Sequence, residues 1–291
     1  MRPRSTYLSR IIGYLILTMT LATGLARAQA ARTMPDEIQV YCDGIVTTQA
    51  VSHDSYVISG VESDDKVVFS QGDYVFLNQG ASQGVRVGDQ FQVSREATDR
   101  LHKWFDYQDT LMKAMGTTYD DIARVRVVNV QPKTSTALVT QSCSPIQRGD
   151  LVQPFAERPV PTFKPAANFD QFAPPSGKAK AMIVTTRHFG ELAGTGTIVY
   201  VNLGSGQNVK VGDYFRIFRY QGTNHEYVYQ TKGTAYQIQD QGSTPVPYLW
   251  SDLPRDVLGE GIVLRTGPNA ATVLITTSLR ELFPGDYAEI E

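Results

Sequence analysis

The chain is poor in the residues that most often do chemistry. Its 291 residues hold only four histidines, two cysteines and two tryptophans. His53, His102, His188 and His225 lie far apart and form neither a His-Glu-x-x-His motif nor a paired metal-ligand spacing. Cys42 and Cys143 lack the spacing of a zinc site. No Gly-x-Ser-x-Gly elbow occurs. Gly194-Thr195-Gly196-Thr197 leads into a strand-type run rather than a helix, which excludes a phosphate loop. These absences point to a protein that is not an enzyme and holds no cofactor or metal. A hydrolase site assembled from residues distant in sequence stays open as an alternative.

Charge of one sign is also missing. Twenty-seven basic residues face 29 acidic ones, so no nucleic-acid partner and no anionic lipid surface is indicated. Long apolar runs are absent but for one, Ile11 to Ala26. Arg2, Arg4 and Arg10 precede it, and Ala26-Arg27-Ala28 and Ala28-Gln29-Ala30 follow. This is the layout of a secretory signal over residues 1–30, cleaved after Ala28 or Ala30. An uncleaved anchor is the other reading, although the run is marginal in length for a stable span. Cleavage would remove four arginines and no acid, moving the net charge from −2 to −6. The mature chain is therefore expected to be periplasmic or otherwise exported, without a membrane span. In that compartment Cys42 and Cys143 suggest a disulfide; two free buried cysteines are the alternative.

What is present is a duplication. Residues 78–95 (NQGASQGVRVGDQFQVSR) recur at 202–219 (NLGSGQNVKVGDYFRIFR) with a constant offset of 124. Asn78, Gly80, Gln83, Val85, Val87, Gly88, Asp89, Phe91 and Arg95 keep their identity in the second copy. Residues 123–152 align without a gap to 259–288. Paired half-motifs, each ending in Gly-Asp and a strand, predict two copies of one β domain. The predicted fold is all-β: two tandem small, SH3-like barrels at 36–153 and 179–291, joined by a Pro/Phe-rich linker at 154–178. Ile38, Val40 and Val46 read as the opening strand pattern, followed by short runs at Tyr56–Ile58, Val67–Phe69 and Tyr74–Leu77. Residues 124–130 and 136–139 flank a Pro-containing hairpin turn.

The motif's glycines are expected to supply φ > 0. Gly84 is replaced by Asn208, the swap a backbone requirement predicts. Val85, Val87, Phe91 and Val93 are assigned to the core. Gly88, Gly149, Gly212 and Gly285 precede Asp89, Asp150, Asp213 and Asp286, which are assigned to turns as amide acceptors. A metal or acid role for the four aspartates is the alternative. Cys143 aligns with Leu279, an apolar position expected to be buried.

The copies differ between their half-motifs. Residues 96–122 predict an inserted amphipathic helix, with Leu101, Trp104, Phe105, Leu111, Met112 and Met115 near helical spacing and Gly116 as its stop. Residues 220–258 are rich in Tyr and read as a longer hairpin and an irregular loop. Trp104, Phe105, Tyr107, Tyr229, Tyr236 and Trp250 are the candidate interface anchors; packing onto their own barrel is the competing reading. The linker carries Phe155, Phe163, Phe169 and Phe172, so some are expected to pack on a domain; a loose tether is the alternative.

The pairs Gly80–Arg95 with Ala123–Val152, and Gly204–Arg219 with Gly259–Ala288, resemble the C-terminal small β-barrel domain of flagellar assembly protein T. Related domains occur in periplasmic proteins associated with type IV pilus secretins, and the pattern is similar to small barrels of cell-shape scaffold proteins. The resemblance implies a scaffold role in an envelope protein complex of a pilus, secretion or flagellar system, and no active site. Secretin-associated relatives often carry a LysM module; no LysM-like stretch is present here. A peptidoglycan- or carbohydrate-binding module is the alternative function, supported by the Tyr and Trp content of 220–258.

Overall fold

Most residues repeated in the sequence do the same work twice in the structure, a computed structural model that describes residues 33–62, 64–99, 101–165, 170–220 and 253–291. The Asn78 side-chain oxygen accepts from the Tyr56 amide at 2.7 Å, and Asn202 from Met182 at 2.7 Å. Gln83 and Gln207 accept from the amides of Gly80 and Gly204 at 3.0 and 2.9 Å. Gly84 (φ 85°) and Asn208 (φ 65°) each close a single 3-10 turn in the left-handed region, as the swap predicts. Gly88, Gly149, Gly212 and Gly285 share that region. Asp89, Asp150, Asp213 and Asp286 each accept, at 2.8 Å, from the amide three residues earlier.

Gly80 and Gly204 depart from the expectation. Their φ values of −144° and −138° need no glycine. A Cβ there would instead lie 2.2 Å from the carbonyl oxygen of Gln131 or Gly267, so these two glycines admit a neighbouring hairpin. Gly80→Ala is therefore expected to cost about 1–3 kcal/mol, as overpacking does. Gly84→Asn, already present in the other copy, is expected to stay within about 0.5 kcal/mol. Urea unfolding of both variants is the check, and equal costs would refute the distinction.

Thirteen strands are described. β1 (Ile45–Thr47), β2 (Val57–Gly60), β3 (Tyr74–Leu77), β4 (Gln90–Ala97), β5 (Thr117–Val130), β6 (Ser135–Ser142) and β7 (Leu151–Pro154) form a first sheet in the order β2-β3-β6-β5-β4-β7, with β1 added on β5. β8 (Lys180–Thr186), β9 (Ile198–Val201), β10 (Tyr214–Arg219), β11 (Asp256–Thr266), β12 (Ala271–Ser278) and β13 (Tyr287–Ile290) form a closed barrel in the order β10-β11-β12-β9-β8-β13. The orders are equivalent. Where β8 pairs with β13 to close the barrel, the first sheet has only the bridge Tyr56↔Leu151. The cores correspond as well: Val75, Leu77, Phe91, Val93, Val125 and Val139 fill the first, and Val199, Val201, Phe215, Ile217 and Val273 the second. Residues Met34–Glu291 make one compact unit. Among the described residues no helix is long and apolar enough to cross a membrane.

Several local expectations are corrected. Glu37–Tyr41 is a helix, α1, because Asp36 and Gln39 form a reciprocal cap at its start. Val67 and Val68 are exposed; only Phe69 of that run is buried, bridged to Ile146. Val87 is 67% exposed because the turn carries it outward, while Val85, Phe91 and Val93 are core. Leu279 is 49% exposed, so it gives no guide to Cys143. The inserted helix, α2, is confined to Gln108–Met115. The rest of 96–122 extends β4 and β5 or loops between them, since Thr117, Thr118 and Tyr119 are taken up by pairing with β1. The chain at 220–258 is described only for Tyr220 and from Leu253 onward, so the expected hairpin lies outside the described residues.

Candidate functional site

The two copies meet through a strap, residues 36–47. On one side β1 pairs with β5, Val46 opposite Thr118. On the other it is read by the barrel: the Tyr200 hydroxyl donates to the Asp43 carbonyl at 3.0 Å and the Thr272 hydroxyl to the Gly44 carbonyl at 3.1 Å. Burial keeps the Tyr200 phenol protonated by pushing its pKa well up. A Cβ on Gly267 would stand 2.3 Å from the Val46 carbonyl oxygen, so the approach needs glycine there. Val46 and Met115 are buried with Val184, Ile198, Tyr200, Ile262 and Leu264, all from the barrel's outer side. Phe105, Leu111 and Met112 of the insertion and Phe163 of the linker pack against the same cluster.

The strap is held by covalent and ionic bonds. Cys42 and Cys143 form a disulfide, tying the end of α1 to the residue after β6. Beside it, the Arg158 guanidinium donates to Asp43 at 2.8 Å and to both oxygens of Asp121 at 2.8 Å. It also donates to the Val40 carbonyl at 2.9 Å. Arg265 of β11 lies 3.5 Å from Asp121 and 3.9 Å from Asp43. Four parts of the chain thus meet: strap, β5, linker and barrel. Burial pushes the Asp43 carboxyl well above the usual range, and the Asp121 charge adds to this. Burial also works to raise Asp121, but the Arg158 guanidinium outweighs it and holds that carboxyl below the usual range. A buried charge is tolerated only when paired and hydrogen-bonded, and Asp121 is the better supplied of the two.

Two further pairs repeat. Arg95 bonds both oxygens of Asp150 at 2.7 and 2.8 Å, and Arg219 does the same to Asp286. These forks fasten β4 and β10 to the last turn of their own copy. Both arginines recur in the duplicated motif, so the signal was present; motif spacing did not connect them to an aspartate over 50 positions away.

A cavity of about 270 Å³ lies between the insertion and the loop after β8. Trp104, Met112 and Phe189 form its apolar walls, with Asp99, Gln108 and Thr118 among its polar lining. His188 and Phe189 both adopt left-handed backbone without being glycine. Trp104 is half-buried, its ring stacked on His102 at 5.4 Å and its amide bonded to Gln108 at 2.7 Å. The Gln108 amide then donates to the Val184 carbonyl at 2.8 Å. Phe105 and Tyr107 meet edge-on at 4.9 Å, and the Tyr107 hydroxyl contacts the Met182 sulfur at 3.5 Å. Phe105 and Tyr107 therefore touch the second barrel rather than only their own copy, while Trp104 meets His102 and Gln108 of its own insertion. Tyr229, Tyr236 and Trp250 lie outside the described residues. Phe155 packs on Tyr41 at 5.3 Å, so with Phe163 the linker rests on both copies. Among the described residues no group of three or more His, Cys, Asp or Glu could hold a metal ion.

Residues 72–154 match the family of flagellar assembly protein T, C-terminal domain. The match runs from just before β3 through β7, the part of the first copy that carries both half-motifs. No curated protein matches the chain significantly.

Gln108, Asp43, Asp121, Arg158 and Arg265 escaped the sequence reading. One clue existed for Asp121. It stands opposite Ser94 where the second copy pairs Phe218 with Val257, so a charge replaces an apolar residue at an equivalent register.

Proposed function

We propose that this protein is an exported, non-catalytic scaffold of the bacterial cell envelope that assists assembly or anchoring of a flagellar, pilus or secretion complex. The observation that carries the reading is the match of residues 72–154 to the flagellar assembly domain. The disulfide is consistent with an oxidising compartment, as is the signal-like segment at residues 1–30. The junction favours a scaffold physically: its buried groups are spent on joining two copies, and the four turn aspartates are all engaged by turn amides. Deleting the gene and imaging the cells by negative-stain electron microscopy tests the reading. Loss of flagella or pili, or of secretin assembly followed by blotting, is expected and should be restored by the full-length chain. Normal appendages and normal secretion in the deletion strain would sink the proposal.

A further inference from the structure

The duplication makes one surface comparable with itself. In the barrel, Val184, Ile198, Tyr200, Leu264 and Leu274 point outward and are buried under the strap and insertion of the first copy. The shared register and the offsets of the alignment place Ile58, Tyr74, Phe76, Val128 and Leu138 at the equivalent positions of the first sheet. All five are apolar too. Here, however, Ile58, Tyr74 and Val128 are 40%, 44% and 38% exposed, and Phe76 and Leu138 are only half-buried. Arg126, equivalent to Ile262, puts a charge in the patch. The same apolar face thus exists twice and is covered once. Contiguous exposed apolar surface of this kind marks an interaction site.

The covered copy shows what fits. The segment between β4 and β5 leaves its own sheet and lies, through Phe105, Leu111 and Met112, on the next copy's outer face. The corresponding segment between β10 and β11, residues 220–255, is the longer one and supplies Tyr227, Tyr229, Tyr236, Tyr248 and Trp250. We infer that the outer face of the first sheet binds a second copy of this chain, head to tail, through that copy's 220–255 segment. The contact repeats between molecules the junction already made within one. It is heterologous, with different surfaces on the two partners, so it builds rings or filaments rather than a closed pair. The inference does not rest on the envelope role: a chain that stays monomeric would leave that reading intact.

Sedimentation velocity of the mature chain (residues 31–291) over a wide concentration range tests it. Species larger than a monomer are expected to grow with concentration. Tyr74→Glu with Val128→Glu should weaken association by about tenfold or more, because a carboxylate would be desolvated at an apolar contact. Both positions are exposed, and an unchanged thermal melt will show that the fold is intact. Replacing residues 225–250 with a Gly/Ser linker of equal length should abolish association as well. A monomer at every concentration, or association that survives either change, would overturn the inference.

Discussion

Arg158→Ala is expected to destabilise the protein by about 3–5 kcal/mol, because removing one partner of a buried ion pair strands the other. Asp43 and Asp121 would both stay buried, with Arg265 at 3.9 and 3.5 Å as the remaining guanidinium and the Gly44 amide still donating to Asp121 at 3.0 Å. The Val40 carbonyl would also lose its donor. Asp43→Asn is expected to behave in the opposite sense. The folded-state carboxyl of Asp43 is raised by burial and by the neighbouring Asp121. Well below the usual carboxylate range both folded and unfolded chains hold this proton, and Asp43 contributes nothing. As pH rises the unfolded chain releases it first, so stability falls until the folded group ionises too. Asparagine cannot ionise and removes that decline. Asp121 has the reverse sign: its contribution is present above the usual range and is lost as pH falls through its lowered folded-state value. Guanidinium unfolding at pH 4 and pH 7 separates the two. A large loss for Arg158→Ala with a small or favourable change for Asp43→Asn at pH 7 is the expected pattern. Comparable losses for both would mean that the cluster is not organised around Arg158.

Removing the disulfide should cost as much. The bridge spans 101 positions, and constraining a loop of that length in the unfolded chain is worth about 2–5 kcal/mol. The Cys42→Ser, Cys143→Ser double variant should melt earlier than wild type, and dithiothreitol should lower the wild-type melt to the same temperature. A wild-type melt indifferent to reductant, together with an unaltered double variant, would refute this. Both perturbations act on one strap, so combining them with Arg158→Ala should cost less than the sum, since neighbouring effects do not add.

The duplicated turns were legible because their requirements are local. A left-handed residue, an aspartate three positions after the amide it accepts from, and an apolar alternation all lie within a few residues of one another. Val87 and Leu279 are exposed against expectation: alternation cannot tell which way a turn sends its last side chain, and apolar character alone does not set burial in a turn. The helix at Glu37–Tyr41 was mistaken for strand pattern because the Asp36–Gln39 cap outweighs a short apolar alternation. The junction was the least legible part. Asp43, Asp121, Arg158 and Arg265 come from four segments, and no spacing rule connects them. Only the comparison of copies, a charge at Asp121 against Val257, offered a hint. Gln108 gave none: a polar residue on an expected amphipathic helix looks solvent-facing until the barrel beneath it is known.

The strap also sets an order of events in folding. It is complete by residue 47, but the donors that recognise it follow far behind: Tyr200 comes 157 positions after Asp43, and Thr272 comes 228 after Gly44. Contacts this distant in sequence form slowly, after local ones. A chain emerging from its N-terminus therefore exposes the strap sequence long before the Thr272 hydroxyl that donates to it has appeared. The first sheet can pair β1 early, yet its outward carbonyls are satisfied only when the barrel closes. A chain truncated before Thr272 therefore lacks the hydroxyl that donates to the Gly44 carbonyl.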